Sequence, residues 1–231
     1  DWDFHANRLA DKNEVKEYNP FTLMQKPLSD AERHVIQLVE PMQGWFTDSE
    51  KLALFRTVQA QPKDGKVLEI GSFMGRSTNA IAHASVNTNR EIYALDVWLD
   101  FGEDLDDRAQ SDNGIFILNS FLKNTQWFLE KLRVLKGSTT QYKYLLSQLE
   151  FDLIFVDAAH DYQNVVNDIS IALTCIKPNG FMIGHDYHNM GGQEVIQAVH
   201  DTLFKYDEIK IKGVFEGTTV WFAQIPAGFN K

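Results

Sequence analysis

From residue 66 onward the chain alternates short apolar runs with longer segments of helical spacing. The runs at 66–71 (KVLEIG), 91–96 (EIYALD), 132–136 (LRVLK), 151–157 (FDLIFVD) and 180–186 (GFMIGHD) have the length of strands. Helical spacing predicts helices over about 76–86, 162–176 and 192–205. Strands that are apolar nearly throughout and separated by helices imply a parallel sheet covered on both faces. Two final β-rich runs, 209–215 and 218–223, have only Glu216-Gly217 between them. That leaves no room for a crossover helix, so they are predicted to pair as an antiparallel hairpin. The pattern is that of an α/β three-layer sandwich whose seven-stranded sheet is mostly parallel and ends in an antiparallel hairpin.

Ahead of this region the pattern is helical over 31–60. Val35, Leu38 and Val39 recur at helical spacing, and Leu52, Phe55 and Val58 do so again after Thr47-Asp48, a plausible cap. Residues 1–30 are polar, interrupted by Asn19-Pro20 and Lys26-Pro27, and carry little periodicity. They read as an N-terminal extension, a lid or an oligomer contact, before a single domain spanning 31–231. The stretch 98–113 holds six acidic residues (Asp100, Glu103, Asp104, Asp106, Asp107, Asp112) against Arg108. It reads either as a solvated acidic loop or as a flap beside an active site, since it follows the C-terminal end of the second strand, where ligands bind in such sheets.

Composition narrows the partners. The 231 residues carry a formal charge of −10, which argues against nucleic acid and against an anionic membrane surface. With 44% apolar residues and 28 aromatics (16 Phe, 7 Tyr, 5 Trp), the chain can bury a sizeable core. The lone cysteine, Cys175, excludes an internal disulfide and a Cys-rich zinc site, and its apolar surroundings make it a buried small hydrophobe. No apolar run approaches the ~18–20 residues that cross a bilayer. The acidic start Asp1-Trp2-Asp3-Phe4 lacks the pattern of a secretory signal. A soluble, cytoplasmic protein is expected, and the missing initiator Met suits a processed product or a domain of a larger polypeptide.

Candidate chemistry begins after the first strand, at Gly71-Ser72-Phe73-Met74-Gly75-Arg76-Ser77. Two glycines between a strand and a helix let backbone approach a ligand at the helix N-terminus, although the G-x-x-x-G spacing differs from the dinucleotide fingerprint and also fits a plain tight turn. Glu69 is more informative. A carboxylate inside an apolar strand is costly unless paired, and a ligand ammonium group would pair with it. Asp96, closing the second strand, is placed to accept hydrogen bonds from both hydroxyls of a ribose, or to cap a loop.

Together V-L-E-I-G-S-F-M-G-R-S, A-L-D-V-W, F-D-L-I-F-V-D-A-A-H-D-Y and K-P-N-G-F-M-I-G-H-D-Y resemble the class I S-adenosylmethionine-dependent methyltransferases. The resemblance is closer to the branch of macrocin-type sugar O-methyltransferases and cephalosporin-hydroxylase-like proteins, and covers about residues 44–224. It implies a Rossmann-like sheet with the fourth strand beside the first and the fifth beyond it. It further implies that Glu69, Gly71, Ser72, Phe73 and Gly75 line the methionine part of S-adenosylmethionine, with Ser77 at the helix start. Asp96 would hold the ribose, with Val97, Trp98 and Ser138 near the adenine.

In metal-dependent members of that branch an Asp after the fourth strand and two adjacent acidic residues after the fifth bind magnesium. Here the corresponding residues are Asp157 and the pair His185-Asp186, so one acidic ligand is replaced by imidazole, which suits manganese or iron better than magnesium, or by water if His185 points away. The D-G-D base of some relatives is replaced by Asp157-Ala158-Ala159-His160. His160 is the natural substitute, since its ordinary pKa of ~6.5 suits proton abstraction near neutrality. Capping or loop-orienting roles remain open for Asp157, His160 and Asp186, and His188 could also face the site. The resemblance implies methyl transfer to a hydroxyl of a small polyol, a sugar or glycoside, assisted by a divalent cation (Mg or Mn), with Asp157 and His160 as catalytic residues and a small-molecule or glycan acceptor. A catechol or phenol acceptor, a nicotinamide-dependent dehydrogenase and a non-catalytic nucleotide-binding module are the rival readings.

Overall fold

The computed structural model describes residues 19–99 and 114–229. Seven strands form one sheet: β1 (Lys66–Ile70), β2 (Glu91–Asp96), β3 (Leu132–Lys136), β4 (Phe151–Val156), β5 (Ile176–Gly184), β6 (Lys212–Val214) and β7 (Trp221–Gln224). Their order is β3-β2-β1-β4-β5-β7-β6. The first five strands run parallel, while β7 lies antiparallel to both β5 and β6. The order reverses between β1 and β4, and a crevice at such a switch point is where sheets of this kind bind ligands.

Seven α-helices accompany the sheet among the described residues: α1 (Asp30–Val39), α2 (Asp48–Gln59), α3 (Arg76–Ala84), α4 (Ile115–Thr125), α5 (Thr139–Ser147), α6 (Tyr162–Ala172) and α7 (Gln193–Val199). The last continues into a wider turn, His200–Phe204, where Lys205 N–H donates to the His200 carbonyl five residues back at 3.0 Å. Alternation along each strand divides the core into two layers. Val67, Ala94, Leu153, Phe155, Ile183 and Phe222 pack with residues of α1–α4 such as Val39, Val58, Ile81 and Phe121. Leu68, Ile70, Ile154, Met182, Trp221 and Ala223 pack on the other face with Leu146, Ile169 and Val199 of α5, α6 and α7. The three-layer α/β sandwich is therefore as the hydrophobic pattern predicts. Cys175 is buried in the second layer, and burial pushes its thiol up to about 12. No helix among the described residues is long and apolar enough to cross a membrane.

Boundaries differ from expectation where local chemistry intervenes. The hairpin strands shorten to three and four residues. α4 and α5 stand where the hydrophobic pattern assigns no helix. Part of the polar N-terminal stretch is structured: Pro20–Gln25 forms a 3-10 turn capped by the Asn19 side chain, with Leu23 buried. Phe21 meets Phe222 edge-on at 5.1 Å between centroids. The buried Arg56 of α2 gathers this segment, donating to the carbonyls of Leu23 (2.6 Å), Lys26 (3.1 Å) and Pro27 (3.3 Å) while pairing with Glu32 of α1 at 2.6 Å. Residues 1–18 and the acidic stretch from 100 to 113, expected as extension and as loop or flap, lie outside the described residues.

Candidate functional site

The C-terminal ends of β1 and β2 are laced together by one carboxylate. Asp96 Oδ2 accepts from the backbone N–H of Ser72 and of Phe73, each at 2.8 Å, and its Oδ1 accepts from Trp98 N–H at 2.6 Å. The Trp98 indole in turn donates to the Phe73 carbonyl at 2.8 Å, with its ring buried against Phe121 of α4. Gly71 has φ +91°, and a Cβ there would lie 2.0 Å from the Asp157 carbonyl oxygen, so only glycine lets the β1 turn pass the end of β4. Gly75, at φ +88°, begins α3 with no side-chain cap, leaving the first N–H groups of that helix without a side-chain acceptor. Ser77 is buried in the first turn of α3. Val97 is half-buried beyond β2. Ser138 caps α5 in a capping box with Gln141, and the preceding Gly137 N–H donates to the Asp96 carbonyl at 2.8 Å. The residues expected to hold a cofactor thus gather at the ends of β1, β2 and β3.

Glu69 is fully buried. Its Oε2 accepts from the hydroxyls of Ser72 (2.7 Å) and Thr78 (2.5 Å), while its Oε1 is buried without a hydrogen-bond partner. Burial raises its pKa to about 7, against the lowering effect of the surrounding hydroxyls. A buried carboxylate oxygen without a donor leaves the folding cost uncompensated until something cationic or N–H-bearing fills it.

A second cluster lies one strand over. β4 and β5 are adjacent, and the His185 N–H donates to the Val156 carbonyl at 3.1 Å, which brings Asp157, His185 and Asp186 together. The half-exposed His160 presents Nε2 to Asp186 Oδ2 at 2.9 Å. Donor atoms from Asp157, His160 and Asp186 all lie within 4.8 Å of one another, close enough to share one cation. His185, expected as a ligand, lies between the two carboxylates. Its Nδ1 lies 3.3 Å from both Asp157 Oδ1 and Asp186 Oδ2, and its Nε2 lies 3.3 Å from Glu50 Oε2, so both nitrogens face carboxylates. His188 Nε2 is 3.4 Å from Asp186 Oδ1.

The electrostatics follow from this crowding. Burial pushes His185 toward neutrality, but the three carboxylates outweigh it and hold its pKa far above the ordinary value. Asp157 is raised, chiefly by burial, with the Asp186 charge adding to it and His185 opposing. Asp186 is held well below the usual carboxylate range because His160 and His185 outweigh its burial. His160 is raised, first by its contact with Asp186. Phe73, Trp98 and Asp186 all have positive φ (43°, 45° and 60°), and among the described residues the other non-glycine positions with positive φ are the two asparagines Asn87 and Asn179.

Glu50 is absent from the residues singled out in the sequence. It stands at the third position of α2 and forms a capping box with Thr47, a role that the T-x-x-E spacing fully explains. Nothing local signals its further contacts.

A glycine-bearing turn into an uncapped helix and an acidic residue closing β2 thus stand at the switch point of an α/β sheet. Residues 68–187, just over half of the chain, match the family model described as a methyltransferase domain, and the chain belongs to that family. None of the curated proteins matches it. Its fold is similar to that of a putative O-methyltransferase from Klebsiella pneumoniae (18% identity over 87% of this chain and 92% of that one, TM-score 0.58). It is similar also to an O-methyltransferase from Bacillus cereus in complex with SAH (18%, 86% and 92%, TM-score 0.55). A third is TomG from Streptomyces achromogenes, an O-methyltransferase of tomaymycin synthesis in complex with SAM (16%, 92% and 99%, TM-score 0.57).

Proposed function

We propose that this methyltransferase uses S-adenosylmethionine to methylate a hydroxyl of a small polyol, a sugar or glycoside. The observation that carries the reading is the juxtaposition of the Glu69 turn with the Asp157–His160–Asp186 cluster at the ends of β1, β4 and β5. The turn suits an amino-acid moiety. The unpartnered Glu69 Oε1 would take its ammonium group, and the uncapped start of α3 would take its carboxylate. Beyond its three backbone donors Asp96 keeps about one lone-pair site, on Oδ1, enough to accept from one ribose hydroxyl. When bound, S-adenosylmethionine supplies an electrophilic methyl group on sulfur. The protein's contribution is to hold the acceptor oxygen in line with it and to remove the hydroxyl proton.

His160 would take that proton at Nδ1, with its Nε2 N–H donating to Asp186, which would orient the ring and stabilise the imidazolium that results. Asp157 and Asp186 would hold a divalent cation, Mg or Mn, which when bound supplies Lewis acidity toward the acceptor hydroxyl. Two vicinal hydroxyls can chelate one such ion, which favours a sugar and also fits a catechol. A second reading, favoured by the 4.8 Å grouping, makes His160 the third ligand. The same experiment separates the two. Asp157→Ala should abolish methyl transfer to simple glycosides or catechols while SAH affinity stays near wild type; full activity in that variant removes the cation from the mechanism. His160→Ala should lose about 100-fold in rate with metal affinity intact if the residue is the base. A comparable loss of metal affinity makes it a ligand.

A further inference from the structure

Glu50 does more than its place in α2 requires. A capping-box glutamate need only accept from the N-cap residue. Oε2 does so, taking both the Thr47 N–H and its hydroxyl at 2.8 Å. The same buried carboxylate reaches 169 positions along the chain: its Oε1 accepts from the Thr219 N–H at 3.1 Å and the Thr219 hydroxyl at 2.7 Å, just before β7. Oε2 also faces His185 Nε2 at 3.3 Å, and His185 in turn presents Nδ1 to Asp157 and Asp186. The Phe46 ring closes edge-on against the imidazole at 5.2 Å between centroids.

The geometry points to Glu50 as a positioning residue of the methyl-transfer site, one that fixes His185 from behind and through it the spacing of the Asp157 and Asp186 carboxylates. Two carboxylates at the ends of neighbouring strands repel, and a bridge between them holds its orientation only if its far nitrogen is also held. Glu50 is itself immobilised by α2 and by the segment entering β7, so one side chain references the centre to two separate elements. The catalytic consequence rests on the functional reading above, whereas the positional claim rests on the contacts alone.

The test uses Glu50→Gln, whose single carbonyl oxygen can still cap Thr47 and face His185 without charge, while its amide nitrogen can donate to the Thr219 hydroxyl but cannot accept from the Thr219 N–H. His185→Asn assigns the His185 ring signal by proton NMR, and the readouts are its contact with Phe46, the melting temperature, SAH binding and turnover. Glu50→Gln should lower the melting temperature slightly through the lost Thr219 N–H acceptor, keep the SAH affinity of wild type well below that temperature, lose the His185–Phe46 contact, and lower kcat about 10–100-fold with the KM for S-adenosylmethionine unchanged. Thr219→Val, which retains the charge, should keep the His185–Phe46 contact. A Glu50→Gln protein that keeps both the ring contact and wild-type kcat overturns the proposal, as does a loss of turnover that merely follows a fall in melting temperature. If wild type binds no SAH, the functional reading fails, and the ring contact still decides the positional claim.

Discussion

If Glu69 pairs with a cofactor ammonium as proposed, the pH dependence of cofactor binding and that of folding have opposite signs there. Its pKa in the folded chain is raised to about 7 from an ordinary carboxylate value, chiefly by burial. Its contribution to stability is therefore full below the unfolded pKa and is lost as pH rises through about 7. A ligand ammonium prefers the ionised form, so affinity should instead rise over that same interval. SAH titrations between about pH 6 and pH 8 should show this rise. Glu69→Gln should flatten it and weaken binding by about tenfold, the worth of one charge-assisted hydrogen bond. Equal affinity of variant and wild type at every pH would remove Glu69 from the cofactor site.

Single residues differed in how far the sequence revealed them. Glu69 was legible because a carboxylate in an apolar strand demands an explanation. Asp157, His160 and Asp186 were legible only through the family resemblance, and the structure brings their donor atoms within 4.8 Å of one another. Glu50 was not, because T-x-x-E reads completely as a capping box. Its partners His185 and Thr219 are distant in sequence, and only the sheet order brings them near.

At the scale of elements, capping boxes do double duty. Glu32 caps α1 through Ser29 and also forms the buried pair with Arg56, just as Glu50 caps α2 and meets His185. Arg56→Met would strand Glu32 as a buried charge and release the carbonyls of Leu23, Lys26 and Pro27. It should cost about 3–5 kcal/mol by urea denaturation, and adding Glu32→Gln, which preserves the cap, should recover part of it. A loss under about 1 kcal/mol would mean that the N-terminal segment and α1 do not depend on this pair. β1 to β4 were legible to within a residue because they are short and apolar, whereas β5 begins at Ile176, four residues before the expected run, and takes in the polar Lys177-Pro178-Asn179-Gly180. α4 was not legible, since IFIL at its start is apolar without helical period. α5 was hidden by its polar sequence, with Leu146 its one fully buried hydrophobic residue.

For the whole molecule, the sheet order decides what the motifs can do together. With β4 between β1 and β5, the Glu69 turn and the Asp157–Asp186 pair open on the same edge of the sheet. In the proposed mechanism that arrangement would put cofactor and acceptor side by side, and cofactor binding is what it rests on. The most direct measurement is calorimetric titration of the protein with SAH, run with magnesium, with manganese and with EDTA. Micromolar binding that is indifferent to the metal is the predicted result, because the Glu69–Asp96 cradle shares no residue with the Asp157–His160–Asp186 cluster. Absence of binding in all three conditions would contradict the account.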